Sequence, residues 1–238
     1  MKSAIILGVG PVRGLGAQLA LRFAKLGLHI VVAGRTRENL DYVVADIKNH
    51  GGSAEYFICD ASREQQVINL FESTSDPIDL AIYNVGNNTP GSIIDMESSY
   101  FENSWRVGCF GGFLFGREAI RHMQPNKSGS VFFTGASASL RGRANFSAFN
   151  SAKGGLRNFA QAMAKECSPM GIHVGHIIID GIIDGDKIRN RHPKIYDQLN
   201  SNDMLEIELI VATYEYLYRQ SPRAWSFEVD LRPSTESW

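Results

Sequence analysis

The sequence predicts an α/β fold, a doubly wound parallel β-sheet flanked by helices, and three observations predict it. Short apolar runs, most of them β-branched, recur from residue 4 to residue 179. Amphipathic stretches with helical spacing lie between them. A glycine-rich turn stands at the first junction between the two kinds of segment. Strands that are apolar along their whole length, alternating with helices, belong to a parallel sheet covered on both faces.

In chain order, the predicted strands are residues 4–7, 29–33, 55–59, 80–84, 131–134 and 173–179. Leu40, Val43, Val44 and Ile47 fall on one helical stripe, and Val67, Leu70 and Phe71 on another. Two longer helices are predicted over residues 101–123 and 148–167. A further helix over 204–219 carries Leu205, Leu209, Ala212, Tyr216 and Leu217. Neither a repeat nor a linker-like tract divides the chain, so residues 1–238 read as one domain. With 44% hydrophobic residues, a chain of 238 can bury a full core.

A net charge of −1 gives no broad basic surface, which argues against nucleic acid as a partner. No apolar run approaches the roughly 20 residues that cross a bilayer, so no membrane association is expected. The apolar run after Met1 and Lys2 is cut short by Gly8, Gly10 and Pro11, and reads as a strand rather than a leader. Cys59, Cys109 and Cys167 form no C-x-x-C pair, as in a reduced, cytoplasmic protein. No His, Cys and Asp cluster has metal-ligand spacing, and no metal is predicted. His176, inside an apolar strand, reads as a hydrogen-bonded core residue.

Gly10, Gly14 and Gly16 follow the first strand and open a helix. Glycines there let a pyrophosphate approach the backbone, and the helix start offers free N–H groups. Arg35 follows the second strand, where NAD-binding chains commonly carry an acid, and Arg13 precedes Gly14. A guanidinium binds a 2′-phosphate that an acid would repel, so the two arginines together favour NADP(H) over NAD(H). The alternative is two exposed loop arginines, and either one alone would be ambiguous.

The order of these motifs resembles the short-chain dehydrogenase/reductase family over roughly residues 3–185. The glycine turn is similar to its T-G-x-x-x-G-x-G motif, with Val9 at the Thr position and Pro11 removing one backbone donor. The resemblance implies a Rossmann-type sheet. It also implies a cofactor site of Gly10, Arg13, Gly14, Leu15, Gly16, Arg35, Asp60, Ala61, Asn84, Gly86, Lys153 and Ile183. Asp60 would accept from the adenine amino group, and Asn84-Val85-Gly86 stands where the family carries Asn-Asn-Ala-Gly.

The catalytic side departs from the family. Carried over by position, the helix Asn falls on Gly108, the Ser on Ala136, and the Tyr on Phe149, while Lys153 is retained. Ser137 lies one residue from the Ser position. The Pro-Gly pair becomes Asp180-Gly181, and the Thr near the nicotinamide amide becomes Gly185. A phenyl ring moves no proton, and general acid–base help is worth about 10²–10⁴-fold, or roughly 3–5.5 kcal/mol. Ser137, Ser147, Asn150, Tyr83 or a bound water could donate instead, none at a position that the resemblance implies.

Two functions lead, and a structural protein that has lost cofactor binding ranks after them. One is an NADP(H)-dependent oxidoreductase acting on a carbonyl, alcohol or polarised C=C compound, with Lys153 holding the ribose. The other is a catalytically silent relative serving as an NADP(H) sensor or oligomer subunit. Lys153 also reads as an ordinary helix lysine with a solvated head. The resemblance implies a homodimer or homotetramer through the two long helices, where Phe110, Phe113, Phe115, Phe146 and Phe159 concentrate. The segment 225–238 reads as a cover for the sheet edge or for a neighbouring subunit.

Overall fold

The computed structural model describes residues 1–86 and 88–236. Seven parallel strands form its sheet, in the order β3-β2-β1-β4-β5-β6-β9. They are β1 (Ser3–Leu7), β2 (His29–Gly34), β3 (Ser53–Ile58), β4 (Ile78–Tyr83), β5 (Gly129–Ala136), β6 (Ile172–Ile179) and β9 (Glu228–Leu231). A separate ribbon pairs β7 (Ile182–Ile183) with β8 (Met204–Leu205) in parallel.

Alternation along each strand feeds two cores. Ala4 and Ile6 of β1 face one side of the sheet, and Ile5 and Leu7 face the other. On the first side lie α1 (Leu15–Lys25), α2 (Arg37–Asn49) and α9 (Ile207–Tyr218), through Leu19, Phe23, Val43, Ile47, Ile210 and Tyr214. On the second lie α3 (Glu64–Glu72), α5 (Gly111–Met123) and α6 (Ser147–Cys167), through Leu70, Phe71, Leu114, Phe115, Leu156 and Met163. The predicted fold class stands.

Strand ends shift by a few residues, and three elements differ more from the sequence reading. The helix expected over 101–123 is α4 (Ser98–Trp105), a π-helical turn at Arg106–Phe110, and then α5. The helix expected from 204 begins at Ile207, because Met204 and Leu205 belong to β8. The C-terminal segment contributes β9, which pairs with β6 from His176↔Glu228 to Ile179↔Leu231 and so extends the sheet. Between β7 and β8 the chain makes an excursion containing two short helices, α7 (Asp186–Arg191) and α8 (Pro193–Tyr196).

Candidate functional site

The sheet order reverses at β1, with β2 and β3 to one side and β4, β5, β6 and β9 on the other. In such sheets ligands sit in a crevice at the carboxyl ends of the strands beside this switch point. Most of the predicted residues lie on the loops and helix starts that follow these strands, with Ile183 in β7, Gly108 in the π-helical turn and Lys153 inside α6.

Gly8 ends β1 at φ 102°, and its N–H and that of Val9 both donate to the Ala33 carbonyl, at 2.9 and 3.0 Å. A β-carbon on Gly16 would stand 2.8 Å from the Gly8 carbonyl oxygen, so glycine there lets α1 approach β1. Asn84 Nδ2 donates to that same carbonyl at 3.2 Å and ties the β1 and β4 loops together. Gly10 differs: beyond its own chain neighbours, no atom of the described residues lies within 4 Å of where its β-carbon would be. Gly14 caps α1 without a side-chain bond, and Leu15 is buried beneath the turn. The turn is thus a cradle with open space at Gly10 and helix N–H groups at its floor.

Arg13 and Arg35 are both exposed beside this turn. Among the described residues, no carboxylate lies within 4.0 Å of either guanidinium. Asp60, just past β3, accepts from the Ser62 N–H at 3.0 Å and the Ser62 hydroxyl at 2.8 Å. Burial alone would raise its pKa, but those Ser62 bonds and the Arg35 and Arg63 charges hold it below the usual carboxylate range. Ala61 is buried with its carbonyl turned toward Gly111, and Ile183 is half-buried in β7.

On the other side of the crevice, Lys153 is buried in α6 rather than solvated. Its Nζ donates to the Val85 carbonyl at 3.0 Å and to the Thr134 carbonyl at 2.8 Å, which uses two of its three protons. Burial, with the nearby Lys187 charge, pushes its pKa down to about 8. Phe149 lies one turn earlier on α6. Both side chains flank Gly86, whose β-carbon would sit 3.3 Å from Lys153 Nζ and 3.9 Å from Phe149 Cε2.

Phe149 forms a wall of a cavity of about 320 Å³ shared with Ser137, Arg141, Arg143, Phe146 and Asn150. Ser137 faces this cavity, whereas Ala136 does not line it. The three-residue turn Ser137–Ser139 accounts for the difference, because Ser139 Oγ accepts the Ala136 N–H at 3.2 Å and bends the chain after β5. Other proposed donors are committed elsewhere. Tyr83 is fully buried and gives its hydroxyl proton to the Val107 carbonyl. Asn150 donates to the Arg141 carbonyl and accepts the Arg143 N–H at 3.3 Å, stapling the cavity loop. Ser147 Oγ lies 3.7 Å from Met96 Sδ.

Gly108 sits in the π-helical turn, where a β-carbon would fall 2.7 Å from the Ala152 β-carbon. α6 passes too closely for an asparagine at that position without a shift. π-helical turns lie frequently at functional sites. This one is invisible in the hydrophobic spacing, because apolar stripes on either side read as one helix.

Several partners lay beyond sequence reasoning. Asp180 is buried and takes a two-pronged bond from Arg141 at 2.9 and 3.0 Å. His176, fully buried, bonds Glu228 through Nδ1 at 2.9 Å, and Arg157 grips the same carboxylate at 2.6 and 2.8 Å. Only the long-range pairing of β6 with β9 brings these groups together. Among the described residues, no group of three His, Cys, Asp or Glu side chains could hold a metal ion.

A family model, short chain dehydrogenase, matches residues 2–194. A short-chain dehydrogenase structure from Rhodopseudomonas palustris is 34% identical, covers 98% of both chains and superimposes with a TM-score of 0.84. The human 3-oxoacyl-[acyl-carrier-protein] reductase is 26% identical over 76% of this chain and 76% of its own. A metagenomic short-chain oxidoreductase in complex with NADP is 21% identical, covers 99% of this chain and 98% of its own, and has a TM-score of 0.83. By its sheet, its glycine turn and this match over most of its length, the chain belongs to the short-chain dehydrogenase family.

Proposed function

We propose that this protein is an NADP(H)-dependent oxidoreductase acting on a carbonyl, alcohol or polarised C=C compound. The observation that carries the reading is the pair of exposed guanidiniums, Arg13 and Arg35, beside a glycine turn with open space at Gly10. A dinucleotide fits the residues present: the α1 N-terminus for its pyrophosphate, Arg13 and Arg35 for a 2′-phosphate, Asp60 for adenine. When bound, such a cofactor supplies or accepts hydride, for which proximity and orientation are the main requirements.

The chain's own part is then positioning. Lys153, anchored on the Val85 and Thr134 carbonyls, keeps a proton for a ribose hydroxyl. Phe149 and Phe146 give the substrate cavity apolar walls. Ser137, which makes no protein hydrogen bond through its hydroxyl among the described residues, is the group that would orient a substrate oxygen there. Thermal unfolding with NADPH and NADH tests the cofactor half. At about 100 times its dissociation constant, a ligand adds roughly 2.7 kcal/mol, or about 5–11 °C for a chain of this size. A shift with NADPH alone is expected, and no shift with either cofactor would sink the reading.

A silent NADP(H)-binding relative is the second reading, and one observation favours it. Lys153 already gives two protons to backbone carbonyls, beside a phenyl ring where the family has its acid. Binding without turnover over a broad carbonyl and enone panel would select it. Turnover abolished by Lys153→Ala would select the enzyme.

We further infer assembly as a homodimer or homotetramer through α4, α5 and α6. Trp105, Phe110, Phe113 and Phe159 form a run of ring contacts there, with Trp105 40% and Phe113 38% exposed. Phe115 belongs to the core instead, and Phe146 to the cavity. Light scattering of the purified protein tests this, and a monomer at micromolar concentration would overturn it.

A further inference from the structure

The excursion between β7 and β8 closes directly onto the glycine turn. Asp186, first residue of α7, donates its N–H to the Arg13 carbonyl at 3.0 Å, and Asp186 Oδ2 accepts the Arg13 N–H at 3.3 Å. These reciprocal bonds join two segments 173 residues apart. Gly185 is pressed into the same contact: its β-carbon would stand 2.6 Å from the Arg13 carbonyl oxygen and 3.2 Å from Ile207 Cδ1. The root of the excursion is itself fixed, since Asp184 donates its N–H to the Leu205 carbonyl at 2.9 Å. Arg189 also folds back onto Asp184 at 2.8 Å.

A carboxylate on a peptide N–H of an anion-binding turn makes the same kind of bond that a phosphate oxygen would make there. We propose that Asp186 is a built-in competitor for the cofactor's phosphates, latching the excursion onto the glycine turn until a dinucleotide displaces it. This rests on the dinucleotide reading above. The latch lowers apparent affinity in proportion to the time the turn spends closed. It also sets a negative charge where the incoming ligand is negative, so displacement has to move the first turn of α7 outward.

Two variants open the latch by different means. Asp186→Ala removes the carboxylate. Gly185→Ala leaves the charge and inserts a methyl against the Arg13 carbonyl; Gly185 has φ −145°, a conformation that alanine adopts freely. The dissociation constant for NADPH, measured by fluorescence titration, is expected to fall about 10-fold in each, the effect of losing one charge-assisted contact from the closed state. In wild-type protein, hydrogen exchange across residues 184–190 is expected to quicken when NADPH is added, as the Asp186–Arg13 bonds break. Binding by the variants but not by wild type would support the latch most strongly. Unchanged or weaker NADPH affinity in both variants would overturn it, as would slower exchange across 184–190 in wild type. If wild type and both opened variants bind neither NADPH nor NADH, it is the dinucleotide reading that fails, a result distinct from wild-type binding without a gain.

Discussion

At the β1–β2 side of the crevice, Arg13 and Arg35 end in solvent with no carboxylate within 4.0 Å among the described residues. At the β5–β6 side, three cationic groups are already held within the chain, although Arg143 in the cavity wall has no ion pair among the described residues. Lys153 bonds two backbone carbonyls, Arg141 grips Asp180, and Arg157 grips Glu228, which also holds His176. A site kept for an outside ligand leaves charges unspent. A site turned into scaffold pairs them, because a buried unpaired charge is expensive. The contrast teaches that one side of the crevice leaves its cations open to receive a ligand, while the other uses most of its own to hold the chain together.

The largest effect should come from damaging the receiving side at its backbone. Gly8 lies at φ 102°, and a β-carbon there would come 2.3 Å from the Asn84 carbonyl oxygen. Strain and overpacking together set the expected loss for Gly8→Ala at about 4 kcal/mol, read by urea denaturation. A variant as stable as wild type would show that the turn relaxes freely and that its geometry does not constrain the ligand.

The holding side can be broken by pH. Lys153 keeps its proton below about pH 8 in the folded protein, against an ordinary 10.5. Between those values the unfolded chain binds more protons than the folded one, so this residue makes stability rise with pH across the window. The rise amounts to about 3 kcal/mol and should vanish in Lys153→Met. Denaturation midpoints at pH 8 and pH 10.5 in both proteins decide it; equal slopes would mean that the lysine head is solvated.

His176 gives the acid counterpart. Burial pushes its pKa down to about 4 from 6.5, although the Glu228 bond works against this. As pH falls from 6.5 to 4, the unfolded chain takes up a proton that the folded one refuses, and stability drops by up to about 3 kcal/mol. Glu228, held low by Arg157 and His176 despite burial, loses its own contribution as pH falls further below the usual carboxylate range. His176→Gln should flatten the first part of the acid limb and leave the second. If both limbs persist, the triad of side chains is not what acid disrupts.

These two residues also show what the sequence could disclose. His176 is readable as a bonded core residue because it interrupts an apolar strand, but its partner lies 52 residues away on a short, charged strand with no period to announce it. Lys153 is placed by its motif, yet its buried amine is held by the carbonyls of Val85, in the loop after β4, and Thr134, in β5. The strands and most helices are legible because their apolar spacing is local. The π-helical turn hides inside a continuous stripe, and the latch at Gly185 and Asp186 is a tertiary contact between loops. The Phe149 position is legible by resemblance, whereas the entry of Ser137 into the cavity depends on a turn closed by the Ser139 hydroxyl.

The smallest expected effect sharpens the comparison most, because it asks whether the unspent charges have a ligand. A hydrogen bond to a charged group contributes about 1.5–3 kcal/mol, so Arg35→Ala should weaken NADPH binding by roughly 10- to 100-fold. Arg13→Ala should do the same through its side chain, while its peptide stays in the glycine turn. NADH lacks the 2′-phosphate, so its affinity should stay within about twofold in both variants, since nothing that either guanidinium holds is lost. Titration of each variant with both cofactors separates the outcomes. Parallel losses for NADPH and NADH would assign the arginines to the turn's fold. No loss for either would leave them as solvated loop residues, and the receiving side would then owe its openness to Gly10 and the α1 N-terminus alone.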